Sequence, residues 1–346
     1  MADVLKEGLI EGEERSSEQV RTRSIRAITL VGVLLCVLAL PALYRTSESG
    51  KLPFDAHYLT ELNRIKPDYV WIGNSMLGTR IDQDVLTEKL GENCCYVMAT
   101  AGAESAWQHQ ALKNHILAAE HRPKKVFVFF RDTYLTRPSY RAQDMYWWRI
   151  ERLSHAQEPE LDKAMQASRT WQESLEYRLG RVYPLQKRRP LATAAIERIA
   201  AGHAPWGYET PGSKFNQLFA LDKMRQMESD DTAFDNLDKS DFDFASKVET
   251  SLLPSMIKLA NDAGVQLVFV RVQRRPTRTE PEELATYLAQ LEDYVTFKGA
   301  GFYDFTGDPE LTLDRYLDGD HIRPEWRRGS TDNFVRRMQP FLQTDR

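Results

Sequence analysis

The stretch "PDYVWIGNSMLGTRID", residues 67–82, decides the fold, because an apolar run ends in it abruptly at small polar residues. Residues 69–72, "YVWI", have the uninterrupted apolar character of a strand that is buried on both faces. Gly73, Asn74 and Ser75 follow directly, where such a strand gives way to a helix. A serine at this junction is either a helix cap or a nucleophile, and the second interpretation requires a base from elsewhere in the chain.

Four more apolar runs follow, and helical patterns separate them. Strands are predicted at 68–73, 93–100, 124–132, 265–273 and 301–306. Helices are predicted at 55–66, 83–91, 248–264, 281–299 and 324–342, the last with a break at Gly329, and the stretch 101–123 is predicted to hold a helix of about 17–18 residues that stops before Pro123. Strands that are apolar throughout, rather than at alternate positions, are typical of sheets covered on both faces. We therefore expect one doubly wound α/β domain with a parallel five-stranded sheet, in flavodoxin-like layers with right-handed crossovers.

The 346 residues carry a formal net charge of −4 and are 42% hydrophobic, which suits one large domain or two small ones. Nucleic acid is not expected as a partner at this charge. The cysteines, Cys36, Cys94 and Cys95, form no C-x-x-C pair and no disulfide framework, so Cys94 and Cys95 are predicted to pack in a strand, with a reactive thiol as the alternative. The acidic loop 230–244 lacks the glycine and final glutamate of a calcium loop, and no G-x-G-x-x-G follows a strand. Neither a metal nor a cofactor is therefore expected.

Residues 27–44, "AITLVGVLLCVLALPALY", carry no charge and are long enough to cross a bilayer, for which about 20 apolar residues are typical. Arg21, Arg23 and Arg26 precede this run, and an excess of positive charge on that side places the N-terminus in the cytoplasm. We expect a polar cytoplasmic tail at 1–26, a single-pass anchor in the inner (cytoplasmic) membrane, and an extracytoplasmic or periplasmic body. A cleaved signal peptide and a buried core helix are the alternatives.

The chain after the anchor divides into three parts. A linker and the first helix occupy 45–66, and the α/β domain is assembled from 67–133 and 248–346. Residues 134–247 lack a strong strand pattern, so they are predicted to form a helical insertion with helices at 141–155, 160–180 and 190–201. The insertion leaves the sheet after the third strand, which places its start near the carboxyl edge of the sheet.

Ligand sites in open α/β sheets lie beyond the carboxyl ends of the strands, and three segments of this chain are predicted to meet there. The first holds Ser75, the second, "AGA", holds Gly102, and the third is "YLDGDHIRP" at 316–324, in which Asp318 precedes His321 by three residues. A serine becomes nucleophilic when a histidine removes its proton, and an aspartate can hold that imidazole in the useful tautomer. The N–H groups of Ser75 and Gly102 are suited to stabilise the oxyanion that forms on attack.

The blocks "IGNSMLGTRID" and "DGDHIRP" resemble the first and last blocks of the SGNH/GDSL hydrolase superfamily. The resemblance implies that Ser75 is the nucleophile and that Asp318 and His321 complete a triad. "TAGAES" is similar to the second block of the family, whose glycine, here Gly102, gives an oxyanion N–H. The third block of the family supplies an asparagine, but this chain has "FFRDTYL" at that place, which makes Arg131 the candidate for a third oxyanion donor.

The membrane-anchored type of this superfamily includes alginate O-acetylation and teichoic-acid D-alanylation proteins, which the chain resembles in its predicted anchor and extracytoplasmic domain. This resemblance implies O-acetylation or a related O-acylation of an envelope or exported polysaccharide, or of a glycolipid, through an acyl-Ser75 intermediate. It also implies a membrane-bound O-acyltransferase as partner. The alternatives are a carbohydrate esterase or deacetylase with the same triad and a catalytically silent scaffold subunit of an acylation complex.

Four residues near the predicted triad are candidates for substrate contacts: Asn74, Asp132, Trp147 and Trp148. The two tryptophans belong to "MYWWRIERL" at 145–153, whose aromatic and basic character suits either a glycan platform or contact with a membrane surface. Packing of these tryptophans in the core or in a lid is the alternative.

Overall fold

The computed structural model describes residues 53–142, 144–155, 157–168, 239–276 and 280–342, together with Thr29 and Gly32. From residue 53 onward these residues belong to one compact unit. In the described part of the chain no helix is long and apolar enough to span a bilayer. Apart from Thr29 and Gly32, the predicted anchor at 27–44 lies outside the described residues, as does the predicted helix at 190–201, so both stay predictions.

Five strands form one parallel sheet in the order β2-β1-β3-β4-β5. They are β1 (Tyr69–Gly73), β2 (Cys95–Ala99), β3 (Lys125–Phe130), β4 (Gln266–Val272) and β5 (Gly301–Phe305). This order is that of a flavodoxin-like doubly wound sheet. The predicted α/β class and parallel five-stranded sheet are therefore confirmed.

Helices connect and cover these strands. They are α1 (His57–Ile65), α2 (Ser75–Arg80), α3 (Gln83–Leu90), α4 (Ser105–Ala111), α5 (Asp144–Arg152), α6 (Pro159–Ala167), α7 (Phe244–Lys247), α8 (Leu253–Asp262), α9 (Glu282–Phe297) and α10 (Arg327–Leu342). A second, two-stranded antiparallel sheet consists of β6 (Tyr316–Asp318) and β7 (His321–Ile322). This hairpin carries His321, and the sequence pattern gave no strand there.

Some helices begin or continue differently from their sequence patterns. Within the 101–123 pattern, α4 continues as a π-helical turn over Leu112–Ile116. The 248–264 pattern begins with a 3-10 turn, Val248–Thr250, before α8 starts. The predicted break at Gly329 is wrong, because α10 runs through that residue. Apolar periodicity marks the buried face of each helix but does not fix its hydrogen-bond register.

Both faces of the sheet are buried, as the residues of β1 show. Val70 and Ile72 pack in a core cluster with apolar residues of α4 and α8, whereas Trp71 packs on the opposite face with Phe334 of α10. The ring of Trp71 stacks on Phe127 of β3, with the ring centroids 5.1 Å apart. Every side chain of this strand segment therefore meets an apolar layer, which explains the uninterrupted apolar sequence.

Gly73 allows the chain to turn from β1 into α2 at a point where no side chain fits. A Cβ atom at Gly73 would lie 2.9 Å from Cβ of Phe129 and 3.1 Å from Cβ of Leu77. The start of α2 is thus packed directly against the neighbouring strand. This close approach holds Ser75, two residues later, at the carboxyl edge of the sheet.

The substitution Gly73→Ala is expected to lower the free energy of unfolding by about 1–3 kcal/mol, because the added methyl overpacks this contact. Gly329→Ala is the matched control, since a Cβ at Gly329 has no neighbour within 4 Å and the residue is helical. That control should raise stability by up to about 1 kcal/mol. Urea unfolding of the full-length chain measures both changes, and a shift of the two variants in the same direction would contradict the close packing at Gly73.

Candidate active site

Ser75 is the first residue of α2, but it is not the residue that caps this helix. Asn74 is the N-cap: its backbone is extended and its Oδ1 accepts a hydrogen bond from the Met76 N–H at 2.9 Å. An N-cap side chain satisfies a backbone donor that the helix itself leaves without a partner. Because Asn74 performs this function, the Ser75 hydroxyl is available for another contact.

The Ser75 hydroxyl contacts the imidazole of His321. Ser75 Oγ lies 2.8 Å from His321 Nε2, which is hydrogen-bond distance, although the two residues are 246 positions apart in the sequence. Both residues are half-buried. With Nε2 as the acceptor, the serine hydroxyl donates its proton toward the imidazole, as a nucleophile and its general base require.

Asp318 and His321 lie directly opposite each other in the antiparallel ladder of β6 and β7. Gly319 and Asp320 form the turn between them, so a sequence spacing of three becomes a cross-strand pair. The ladder is irregular between Tyr316 and Asp318. The side chain of Asp318 is outside the described part of the structure, and its predicted contact with the imidazole stays a prediction.

The N–H groups of Ser75 and Gly102 are both without a hydrogen-bond partner among the described residues. Gly102 has a φ of +72°, a conformation that favours glycine, and a Cβ at this position would lie 2.7 Å from Cδ1 of Tyr146. Tyr146 belongs to α5, so this part of the predicted insertion packs directly on the predicted oxyanion glycine. A backbone donor that lies next to the strand preceding Ser75, and that has no partner in the described part of the chain, suits the oxygen of a bound substrate.

Asp132, predicted as a substrate contact, is 1% exposed. The guanidinium group of Arg274 contacts both of its carboxylate oxygens, with Nε donating to Oδ1 at 2.9 Å and Nη2 donating to Oδ2. Such a two-point ion pair is the strong form of the arginine–carboxylate interaction. Both oxygens of Asp132 thus bind Arg274, and because the residue is 1% exposed, a contact with substrate would require the residues around it to move.

Arg131, predicted as a third oxyanion donor, is bound to the hairpin that carries His321. Its Nη1 donates to Oδ2 of Asp320, the residue before His321, and its Nη2 donates to the hydroxyl of Tyr134 at 3.0 Å. The other oxygen of Asp320 accepts a hydrogen bond from the Arg275 N–H at 2.7 Å. Burial alone would raise the pKa of Asp320, but the charge of Arg131 and the Arg275 N–H outweigh it, and the pKa is lowered. An ionised Asp320 therefore ties the hairpin to the segments that follow β3 and β4.

Glu104 was not singled out in the sequence, yet it lies against the turn that carries the nucleophile. It is 3% exposed, and its Oε1 accepts a hydrogen bond from Nδ2 of Asn74 at 3.0 Å. Nη1 of Arg141 lies 4.0 Å from the same oxygen. Burial raises the pKa of Glu104, although the Asn74 amide and nearby arginines oppose the rise. The sequence signal for Glu104 is an acidic residue among the small residues of "TAGAES", because a carboxylate in such a segment needs a hydrogen-bond donor when it is buried.

The bond to Glu104 fixes which way the Asn74 amide points. Because Nδ2 donates to Glu104, Oδ1 faces the Met76 N–H. Asn74 is itself 5% exposed and uses both ends of its amide within the protein. Its predicted role as a substrate contact would compete with these two bonds.

Helix α5 places the two predicted tryptophans differently. Trp147 packs against the main core cluster, which fits the core-packing interpretation. Trp148 is half-buried, and the guanidinium carbons of Arg149 and Arg152 each lie 5.7 Å from its ring centroid. Arg149 also donates to the carbonyl oxygen of Ala101. Helix α5 therefore contacts the Gly102 loop through the Tyr146 ring and through Arg149.

A cavity of about 250 Å³ opens at the carboxyl ends of β4 and β5. Its lining residues are Gln273, Arg274, Arg275, Pro276, Glu280, Thr306 and Gly307. The charged groups in its wall favour a polar ligand over an apolar chain. Within the described ranges, no group of three or more His, Cys, Asp or Glu side chains converges as a metal site would require.

The sequence matches no protein-family model and no curated protein. Among solved structures, a candidate acylhydrolase from Bacteroides fragilis is similar to this chain with a TM-score of 0.37 and 11% identity, over 83% of this chain and 95% of its own. A GDSL-like lipase from Bacteroides thetaiotaomicron has a TM-score of 0.35 and 10% identity, over 83% and 97%. At these values neither structure assigns a family or an activity to this chain.

The substitution Glu104→Leu is expected to lower the free energy of unfolding by about 1–3 kcal/mol, because the buried Asn74 amide loses its acceptor. Glu104→Gln is the matched control, since a glutamine oxygen can still accept that bond, and its loss should be smaller. Urea unfolding of the full-length chain measures both. Equal losses in the two variants would show that the Asn74 contact is not what Glu104 contributes.

The wild type and Glu104→Gln should differ in how their free energies of unfolding depend on pH. Because the pKa of Glu104 is raised in the folded chain, its contribution to stability is fully present below the unfolded value of about 4.3 and is lost as pH rises from there through the raised pKa of the folded chain. Glu104→Gln lacks this titration, so its stability should gain relative to the wild type between acidic and neutral pH. A constant difference across that range would contradict the raised pKa.

Proposed function

We propose that this chain is an SGNH/GDSL-type serine acyltransferase, which carries an acyl group on Ser75 and passes it to a hydroxyl group of an envelope or exported polysaccharide. The observation that carries the proposal is the 2.8 Å hydrogen bond between Ser75 Oγ and His321 Nε2. It joins a hydroxyl to a base at the carboxyl edge of a parallel sheet, where ligands of such sheets bind. Asn74 caps α2, which leaves the serine hydroxyl for chemistry.

In the first half-reaction, Ser75 Oγ attacks the carbonyl carbon of the acyl donor while His321 Nε2 takes the hydroxyl proton. The carbonyl oxygen becomes an oxyanion, and the N–H groups of Ser75 and Gly102 stabilise it. His321 then gives its proton to the leaving group of the donor. The acyl group remains on Ser75 as an ester.

In the second half-reaction, a sugar hydroxyl gives its proton to His321 Nε2 and its oxygen attacks the acyl carbon. Ser75 Oγ leaves and recovers the proton from His321, so the free enzyme returns and the sugar carries the ester. We assign the orientation of the imidazole to Asp318. Its position opposite His321 in the hairpin supports this role, because residues paired across an antiparallel ladder are neighbours.

Two features support a polysaccharide acceptor outside the cytoplasm. The apolar run at 27–44, with arginines on its N-terminal side, suits a membrane anchor that exports the domain. Helix α5 adds Tyr146 over Gly102 and Trp148 near two arginines, and aromatic rings with polar edges suit sugar rings. A membrane-bound O-acyltransferase is the proposed partner that supplies the acyl group.

The acyl-enzyme is tested with p-nitrophenyl acetate as a small activated donor and the full-length chain. We expect the peptide that contains Ser75 to gain an acetyl group, as measured by mass spectrometry after rapid quenching. Ser75→Ala should lose this acetylation. Ser105→Ala is the matched control, because Ser105 is 1% exposed and its hydroxyl has no partner among the described residues, so its acetylation should equal that of the wild type. Acetylation of Ser75→Ala at the wild-type level would defeat the proposal.

The acceptor is tested by adding a panel of neutral and acidic unsubstituted oligosaccharides to the same reaction. We expect one class to become O-acetylated at the expense of free acetate, because a bound sugar hydroxyl competes with water for acyl-Ser75. Free acetate as the sole product across the panel would reject the transferase and leave an esterase. A wild-type chain that forms neither product nor acyl-enzyme would act as a scaffold and would reject both enzymes.

A further inference from the structure

Two adjacent thiols, Cys94 and Cys95, lie at the start of β2, at the opposite end of the sheet from Ser75. Successive side chains of a strand point to opposite faces, but Cys94 precedes the strand in a bend, directly after Asn93 with a φ of +58°. The bend turns both side chains to the same side, and the two Sγ atoms are 2.9 Å apart. The backbone thus brings together two sulfurs that a regular strand would separate.

The two thiols differ in their exposure to solvent and in their pKa values. Cys94 is half-buried, whereas Cys95 is 2% exposed and packs in the core cluster on one face of the sheet. The contact with Cys95 lowers the pKa of Cys94 and raises that of Cys95, as expected if the Cys95 S–H donates to the Cys94 sulfur. A thiolate is the form that attacks a disulfide, so the sulfur open to solvent is also the nucleophilic one.

We propose that Cys94 and Cys95 form a reversible redox pair, which a disulfide compound oxidises to a disulfide between these neighbouring residues. Cys94 attacks one sulfur of the external disulfide, whose S–S bond breaks and releases one thiol, and a mixed disulfide remains on Cys94. Cys95 then loses its proton and attacks the Cys94 sulfur, and the second external thiol leaves. Two protein thiols are oxidised by two electrons, and the external disulfide is reduced to two thiols.

The geometry makes this bond a labile one rather than a structural link. Cα atoms across a trans peptide are about 3.8 Å apart, whereas disulfides usually join Cα atoms about 4.4–6.8 Å apart. A bond between Cys94 and Cys95 is therefore strained, and strained disulfides are more easily reduced. The pair would therefore be oxidised or reduced according to the surrounding ratio of disulfides to thiols, and it would not serve to stabilise the fold. This inference does not depend on the proposed acyl transfer.

The test uses the full-length chain with Cys36→Ser as background, which leaves only the two thiols of the pair. The reduced protein is incubated with oxidised glutathione, and intact and peptide masses are measured without reductant. We expect the peptide that contains residues 94 and 95 to lose the mass of two hydrogens and to carry no glutathione. Dithiothreitol should restore the original mass.

Two further variants separate the roles of the two sulfurs. Cys95→Ser should accumulate a glutathione adduct on Cys94, because no thiol remains to displace it. Cys94→Ser should stay unmodified, because Cys95 is buried. A stable glutathione adduct on the background chain, a disulfide-linked dimer, or absence of any reaction would each overturn the proposal, and these outcomes do not require either variant to fold.

Discussion

The hydrogen bond between Ser75 and His321 depends on a sheet whose strands all run in the same direction. Only in such a sheet do the ends of β1, β3 and β4 reach one edge, where the turn into α2 and the β6–β7 hairpin can meet. Gly73 lets α2 start directly at the end of its strand. Among the described residues the hairpin pairs with no strand of the main sheet. Side chains attach it to this edge: Asp320 binds Arg131 and the Arg275 N–H, and the Tyr316 hydroxyl donates to the carbonyl oxygen of Arg274.

Two carboxylates outside the predicted triad, the half-buried Asp320 and the buried Glu104, contact the segments that carry His321 and Ser75, but the electrostatic surroundings of the two carboxylates differ. Asp320 faces the charge of Arg131, which lowers its pKa and keeps it ionised beside His321. Glu104 has a neutral amide as its hydrogen-bond partner, with Arg141 more distant, and burial raises its pKa. A buried carboxylate without a full counter-charge costs more to ionise. The histidine side is thus held by an ion pair and the serine side by a hydrogen bond.

The sequence predicts the sheet well because the signal of each strand lies within the strand itself. Burial on both faces explains a continuous apolar run such as residues 69–72. The run can be recognised without knowing which distant residues cover each face. The hairpin escapes such prediction, since strands of three and two residues are too short to show a period. Glu104 escapes for another reason: its partner, Asn74, is 30 positions away, and nothing in either segment specifies the pairing. The sequence therefore predicts the serine, the histidine and their block resemblance, but it does not predict the contacts that hold them, since it indicates other roles for Asn74 and Arg131.

The insertion after β3 bears on the chemistry because α5 is attached to the loop that carries Gly102. The Tyr146 ring covers Gly102 so closely that no side chain fits there, and Arg149 binds the carbonyl of Ala101. In the proposed acyl-enzyme, an acyl oxygen at the Gly102 N–H lies beside the Tyr146 ring. We therefore propose that α5 forms part of the wall around the acyl group, whereas the parallel sheet positions Ser75. A wall from the insertion can change between related chains without disturbing the strands, whereas the serine–histidine contact cannot.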